Sequence, residues 1–337
     1  MIAVLVALFP VTIFLAVLLL GDSFKLVPRV TLAVALAGGA LAAGVALGLH
    51  AWLLATARLD VAALAKFVAP VSEEALKAAC LVYLLRRGRV GFLVDAAIVG
   101  FAVGTGFALI ENLLYLQGLR QASIWVWIAR GLGAALLHAG TTAIVAIGGK
   151  SLGDRYPARG TAVLLPGLIV AMVLHATYNR ALVSPVLAAL FLLTVLPLVV
   201  LAVFERSEKV TREWVGDGLD LDVELLALIR SNHFEGTRLG RYLAELTSRF
   251  PGTVVADMFC LLQLELELAI RAKGMLMARD AGLEVPIDDE VRASLAERAY
   301  LHRAIGPTGL LALRPLQVTS SRDEWHRYLL HHARLKR

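Results

Sequence analysis

Apolar residues run almost without interruption over about 1–20, 31–55, 62–85, 91–116, 123–148, 161–180 and 183–204. Each run is near the ~20 residues with which an α-helix crosses the hydrocarbon of a bilayer. The pattern predicts an all-α, polytopic membrane protein with about seven transmembrane helices. The first run starts at the initiator Met with no Lys or Arg ahead of it, and it is apolar for longer than the core of a cleaved signal, so it reads as a spanning helix. After Phe204 the apolar runs stop. Segments around 222–230, 238–249, 254–280 and 288–304 place apolar residues at helical spacing, with Pro251, Pro286 and Pro307 between or after them. The chain is therefore expected to divide into a transmembrane domain, 1–204, and a helical C-terminal cytosolic domain, 205–337.

Composition agrees with the membrane reading: 58% of the 337 residues are apolar and the mean hydropathy is +0.73, far from a soluble domain of that length. The net charge of +6 arises in the membrane half, with 14 basic against 7 acidic residues, while 205–337 is nearly balanced at 19 against 20. That excess reads as topology and excludes a nucleic-acid partner. Lys25 and Arg29 follow the first run, Arg86, Arg87 and Arg89 the third, and Lys150, Arg155 and Arg159 the fifth; the alternate loops carry only Arg58, Arg120 and Arg180. Because Lys and Arg gather on the cytoplasmic side, the N-terminus is expected outside and the C-terminus inside. The basic C-terminal end, with Arg334, Lys336 and Arg337, reads as solvated surface. Cys80 and Cys260 make no disulfide framework.

Ionisable groups inside such runs are costly and mark functional sites by default. The third run carries Glu73, Glu74 and Lys77. Glu73 and Lys77 stand one turn apart on one face and are placed to pair, while Glu74 projects about 100° away. Adjacent carboxylates in a low-dielectric cavity separate their proton affinities, which suits one of them to activate water; a buried Glu–Lys pair that fixes packing is the plainer reading. The fourth run has Phe107 and Glu111 a turn apart, Asn112 adjacent, and Ala96, Gly100 and Gly104 at the small-residue spacing of close helix packing. Glu111 by itself could be a polar tether. His138, followed by Thr141 and Thr142, lies in the fifth run, and His175, one turn before Asn179, in the sixth. Single histidines in a bundle are more often structural; two of them beside three intramembrane glutamates point to chemistry. His50 and the pair Trp125 and Trp127 read as interfacial, and Arg130 either snorkels to the interface or pairs with a site carboxylate.

Those motifs carry a resemblance. Glu73-Glu74-Ala75-Leu76-Lys77, Phe107-Ala108-Leu109-Ile110-Glu111-Asn112, His138 and His175-x-x-x-Asn179, in this order and on separate helices over roughly 60–180, resemble the PrsW family of intramembrane proteases, within the group that includes the CAAX-prenyl endopeptidases. The resemblance implies a multi-pass peptidase of a bacterial plasma membrane that cuts a membrane-bound protein of the anti-sigma-factor kind, with residues 1–204 as its protease domain. It assigns no role to 205–337 and fixes no oligomeric state.

Two mechanisms suit the residues. In the glutamate-type route implied by the larger group, Glu73 or Glu74 is general base on water, His175 assists it or protonates the leaving amine, and Asn179 donates to the oxyanion. Glu111 and His138 then orient water or substrate, with Lys77, Phe107 and Asn112 in support. No metal or other cofactor is needed in that route. In the other, zinc is held by residues drawn from Glu73, Glu111, His138 and His175; the chain has no His-Glu-x-x-His helix, which puts the metal-free route ahead. A proton-coupled transporter would also carry intramembrane Glu, His and Lys, but no inverted repeat is visible. A catalytically silent scaffold or sensor is the third class.

Overall fold

The computed structural model describes residues 2–22, 27–57, 59–119, 121–182, 184–231, 234–283, 289–313 and 315. Lys25, Arg58, Arg120, Pro286 and the basic C-terminal end lie outside the described residues. Among those described, every regular element is helical and there is no strand, as the apolar runs predict.

Helices α1 (Ile2–Gly21) and α2 (Arg29–Thr56) are predominantly apolar. The third run is not one uniform helix. Asp60 starts it, its carboxylate accepting the Ala62 and Ala63 N–H groups, which satisfies donors that have no intrahelical partner. A short α3 (Val61–Ala63) passes through a π-helical turn, Leu64–Val68, into α4 (Ala69–Arg86). Helix α5 (Leu93–Gly118) follows, capped by Asp95, whose Oδ2 accepts from Gly91 N and Phe92 N. Next come α6 (Ile124–Ile128), a second π turn at Ala129–Ala134, α7 (Ala135–Arg155), a 3-10 stretch at Pro157–Leu164 and α8 (Leu165–Asn179).

Six helices among the described residues are long and apolar enough to span a bilayer. Seven are expected from the sequence, and the difference is the third run: within 18 residues α4 carries Glu73, Glu74, Lys77 and Arg86, too many charges for a span defined by apolarity. The centre of the membrane half is α5, where Val94 to Ala108 are buried on every side. That burial is possible because small residues let backbones approach. A Cβ on Gly104 would meet the His138 carbonyl, one on Gly100 would come within 2.8 Å of the Thr142 carbonyl, and one on Gly106 would meet the Leu36 carbonyl of α2.

The chain forms two compact units, Met1–Ser207 and Glu208–Arg337. The helix that carries the last apolar run does not end near Phe204 but continues as one 46-residue helix, α9 (Pro185–Arg230). Beyond it lie α10 (Arg238–Leu246), α11 (Gly252–Asp280) and α12 (Asp289–Leu313). Thr237 caps α10 through its hydroxyl, and the turn signal at Gly306-Pro307 appears as a kink in α12, where Gly306 has φ 70°. Met258, Leu268 and Leu276 of α11 are buried. Lys273 is buried too, donating to Asp222 Oδ2 at 2.7 Å and lying 5.1 Å from the Trp214 ring centre.

Candidate active site

Two neighbouring glutamates of α4 face different surroundings. Glu74 is 1% exposed and held mainly through one oxygen: Lys77 Nζ donates to its Oε1 at 2.7 Å, His175 Nδ1 at 2.9 Å, and the Thr141 hydroxyl at 3.3 Å. Glu73 lies at the wall of a cavity of about 560 Å³. Its Oε2 is buried and has no hydrogen-bond partner; the nearest cationic candidate is His175 Nε2 at 3.8 Å, with His50 Nδ1 3.9 Å from Oε1. The pairing expected along one face, Glu73 with Lys77, is replaced by Glu74 with Lys77. The reason is the third partner: Lys77 Nζ also lies 3.1 Å from His138 Nδ1, so its ammonium turns inward toward α7.

Hydrogen bonding then fixes both imidazoles. Lys77 has only donors, so His138 Nδ1 accepts and its Nε2–H donates to Glu111 Oε2 at 3.0 Å. His175 donates from Nδ1 to Glu74, which leaves Nε2 as its acceptor, on the Glu73 side. The two rings meet edge to face with centres 4.8 Å apart, and Phe107 packs on His138 at 4.9 Å. Small residues hold α5 and α7 close enough for this, since the His138 backbone lies directly against Gly104.

The rest of the rim is built from α5, α8 and the two π turns. Arg130 Nη2 lies 3.0 Å from Glu111 Oε2, its Nε donates to Asn112 Oδ1 at 3.0 Å, and its guanidinium stacks 3.5 Å from the Tyr115 ring centre. Asn112 is anchored by donating to the Ala7 carbonyl of α1 at 2.8 Å. The Asn179 amide donates to the Ala65 carbonyl at 3.0 Å and the Tyr178 hydroxyl to the Ala129 carbonyl at 2.7 Å. Consecutive residues of α8 thus hold both π turns.

Of the residues singled out from sequence, the cavity gathers Glu73, Phe107, Glu111, His138, His175 and Asn179 at its wall, with Glu74 and Lys77 directly behind. Asn112 supports Arg130. His50, read as interfacial, instead lines the cavity and bonds Ser72 Oγ at 2.8 Å; its spacing from the nearest motif gave no signal. Arg130 pairs with a site carboxylate. Trp127 is buried and Trp125 exposed, so only the latter suits a lipid interface.

A divalent cation fits part of this arrangement. Glu73, His138 and His175 each offer a ligand atom, all within 4.8 Å of one another, and two histidines with a glutamate is the donor set of many catalytic zinc sites. The unpartnered Glu73 oxygen and the free His175 Nε2 suit a ligand role, and the His175 Nδ1 bond to Glu74 is the carboxylate support that metal-bound histidines usually have. His138 fits only after giving up a bond to Lys77 or Glu111.

No curated protein and no solved structure matches the chain. A family model described as PrsW family intramembrane metalloprotease matches residues 27–204, more than half of the chain. The three glutamates, two histidines and Asn179 all lie within the matched span, in an integral membrane protein whose substrate must share the bilayer, and the chain belongs to the PrsW family of intramembrane peptide hydrolases.

Proposed function

We propose that the protein cleaves a membrane-bound regulatory protein, of the anti-sigma-factor class that the family resemblance suggests, with Glu73 as the general base on water. The observation that carries this assignment is the contrast between the adjacent carboxylates: Glu73 lines the cavity and its Oε2 has no hydrogen-bond partner, while Glu74 is tied at Oε1 to Lys77 and His175 and does not line it. Water placed between Glu73 and a substrate carbonyl adds to the carbonyl carbon and gives one proton to Glu73. That proton, passed through His175 Nε2, goes to the amine nitrogen as the C–N bond breaks. Glu74 holds His175 in the tautomer this step requires. Glu111 and Lys77 do the same for His138, whose ring forms part of the cavity wall.

Asn179 is held in position by one amide N–H on the Ala65 carbonyl, which leaves its second N–H for the cavity. The scissile bond must be extended, because a peptide group within a helix is shielded by its own hydrogen bonds. The substrate therefore presents an unwound or juxtamembrane stretch. We place the protein in a bacterial plasma membrane with its N-terminus outside and 205–337 as a cytosolic helical domain, on the strength of the Lys and Arg distribution.

A metal-dependent reading is favoured by the compact Glu73, His138 and His175 group and by the metalloprotease description of the matching family. Those residues would hold the ion, which when bound lowers the pKa of a water and polarises the carbonyl. Glu74 keeps its place as the partner of His175 in either reading.

The test is cleavage of a panel of single-pass membrane proteins co-expressed with wild type, Glu73→Gln, Glu74→Gln and His175→Ala, repeated on purified protein after chelation and metal analysis. Loss of cutting in the variants with activity retained by metal-free wild type supports the glutamate route. Activity that disappears on chelation and returns with zinc shifts the mechanism to the second reading. Cleavage surviving all three substitutions would refute the site assignment.

A further inference from the structure

Hydrolysis of a peptide bond places negative charge on the former carbonyl oxygen, and in a low-dielectric cavity that charge needs a donor fixed in advance. Tyr178 spends its one donor, and Asn179 one of its two amide N–H groups, on backbone carbonyls of the π turns, and neither residue carries a charge. Lys77 lies behind the wall and is 0% exposed, already bound to Glu74 and His138. Among the described residues that line the cavity, Arg130 is the one whose side chain is permanently cationic. We propose that Arg130 is the oxyanion-binding residue of this protease, an inference that rests on Glu73 activating water in the same cavity.

Three contacts hold the guanidinium rigidly: Nε on Asn112, the face on Tyr115 and Nη2 beside Glu111. Asn112 is in turn fixed to the α1 backbone at Ala7. Despite its 3.0 Å approach to Glu111, Nη2 is buried and makes no hydrogen bond of acceptable geometry. The pair is therefore an ion pair with a donor still to be used. Binding the tetrahedral intermediate supplies the missing acceptor, so the interaction strengthens as charge moves onto oxygen and does not require strong binding of the ground state. Glu111, held from the other side by His138 Nε2–H, keeps the guanidinium from turning away. Arg130 is thereby a catalytic residue, with Asn112 and Tyr115 as its positioning residues.

The experiment uses the full-length protein in detergent with dye-labelled casein, an unfolded generic substrate, and compares wild type, Arg130→Lys, Arg130→Met, Glu111→Gln, the double variant Arg130→Met with Glu111→Gln, and Glu73→Gln. Removing an oxyanion donor lowers kcat by about 10²–10³-fold. That loss is expected for Arg130→Met with KM within about threefold, a smaller loss for Arg130→Lys, and a double variant no more active than Arg130→Met. If Arg130 serves only to neutralise Glu111, the double variant recovers to the level of Glu111→Gln and the inference is overturned. A rise in KM with kcat preserved overturns it as well, because ground-state binding would then be its role. Thermal unfolding of each variant separates misfolding from chemistry; should Arg130→Met fail to fold, Arg130→Lys decides, and an unchanged kcat there rejects the proposal. Wild type that cuts nothing, or Glu73→Gln that still cuts, defeats the underlying water-activation reading and the inference with it. Loss in Glu73→Gln with full activity in both Arg130 variants defeats this inference alone.

Discussion

At the scale of single residues, consecutive positions on α4 carry a carboxylate proposed to be reactive and a structural one, and the two are predicted to fail differently. Glu73→Gln removes a base that has no hydrogen-bond partner at Oε2. It should abolish cleavage while leaving the thermal unfolding temperature near that of wild type. Glu74→Ala strands Lys77 at 0% exposure together with the Nδ1–H of His175. Removing one member of a buried ion pair costs about 3–5 kcal/mol, so this variant should unfold markedly earlier as well as lose activity, measured by helical circular dichroism in detergent. Equal destabilisation by both would mean that they are equivalent structural residues. The spacing of the motifs made the cluster legible, since charges this deep have few uses. It could not say which glutamate fronts the cavity, because that depends on where Lys77 turns, and Lys77 follows His138 on another helix. Arg130 and His50 were obscure for a similar reason: both lie near helix ends, where a cation or imidazole ordinarily reaches water.

Elements set the next level of constraint, and the π turn before α4 has a specific cause. In π register the Ala69 N–H reaches the Leu64 carbonyl, and the next partner in sequence for the Ala65 carbonyl is residue 70, which is proline and has no N–H. The orphan acceptor is satisfied from α8 by Asn179. Asn179→Ala should therefore destabilise the protein by about 1–3 kcal/mol, the cost of an unsatisfied buried polar group, and lower cleavage by moving the start of α4. Adding Pro70→Ala returns an N–H and should recover part of that stability. If the double variant is no better than Asn179→Ala, the amide serves the cavity directly. On the other side, Gly104→Ala would force α7 away at the His138 backbone. Overpacking of this kind costs about 1–3 kcal/mol, and here it should also reduce kcat, since His138 moves with the backbone. Helix type and order were readable from apolar run length. The π turns were not, because Pro70 reads equally well as an ordinary first-turn proline, and the partner that makes the widened turn tolerable is 114 residues away. The length of the last helix was also illegible, since hydropathy falls near Phe204 while the helical hydrogen bonds of α9 continue to Arg230.

For the whole molecule, the open quantity is how many times the chain crosses, and it turns on residues 61–86. Six spans are apolar enough by composition; the segment with Glu73, Glu74 and Lys77 is the seventh only if its charges are covered by other helices. All three are buried, and two are paired: Glu74 and Lys77 bond one another, His138, His175 and Thr141. A segment whose charges pair inside the bundle can lie at membrane depth without exposing them to lipid. Seven crossings put the termini on opposite faces, and six put them on the same face. Cys260 is exposed and Cys80 partly buried, while Ile2 is 65% exposed. With Cys80→Ser as background, a membrane-impermeant maleimide on intact cells should label the thiol introduced by Ile2→Cys. Cys260 should react only after permeabilisation. That result would place the N-terminus outside, the 205–337 domain inside, and the helix of Glu73 and Glu74 across the bilayer. Labelling of both thiols from one side would instead make residues 61–86 a re-entrant or interfacial segment, with Glu73 reached from the aqueous face to which both ends return.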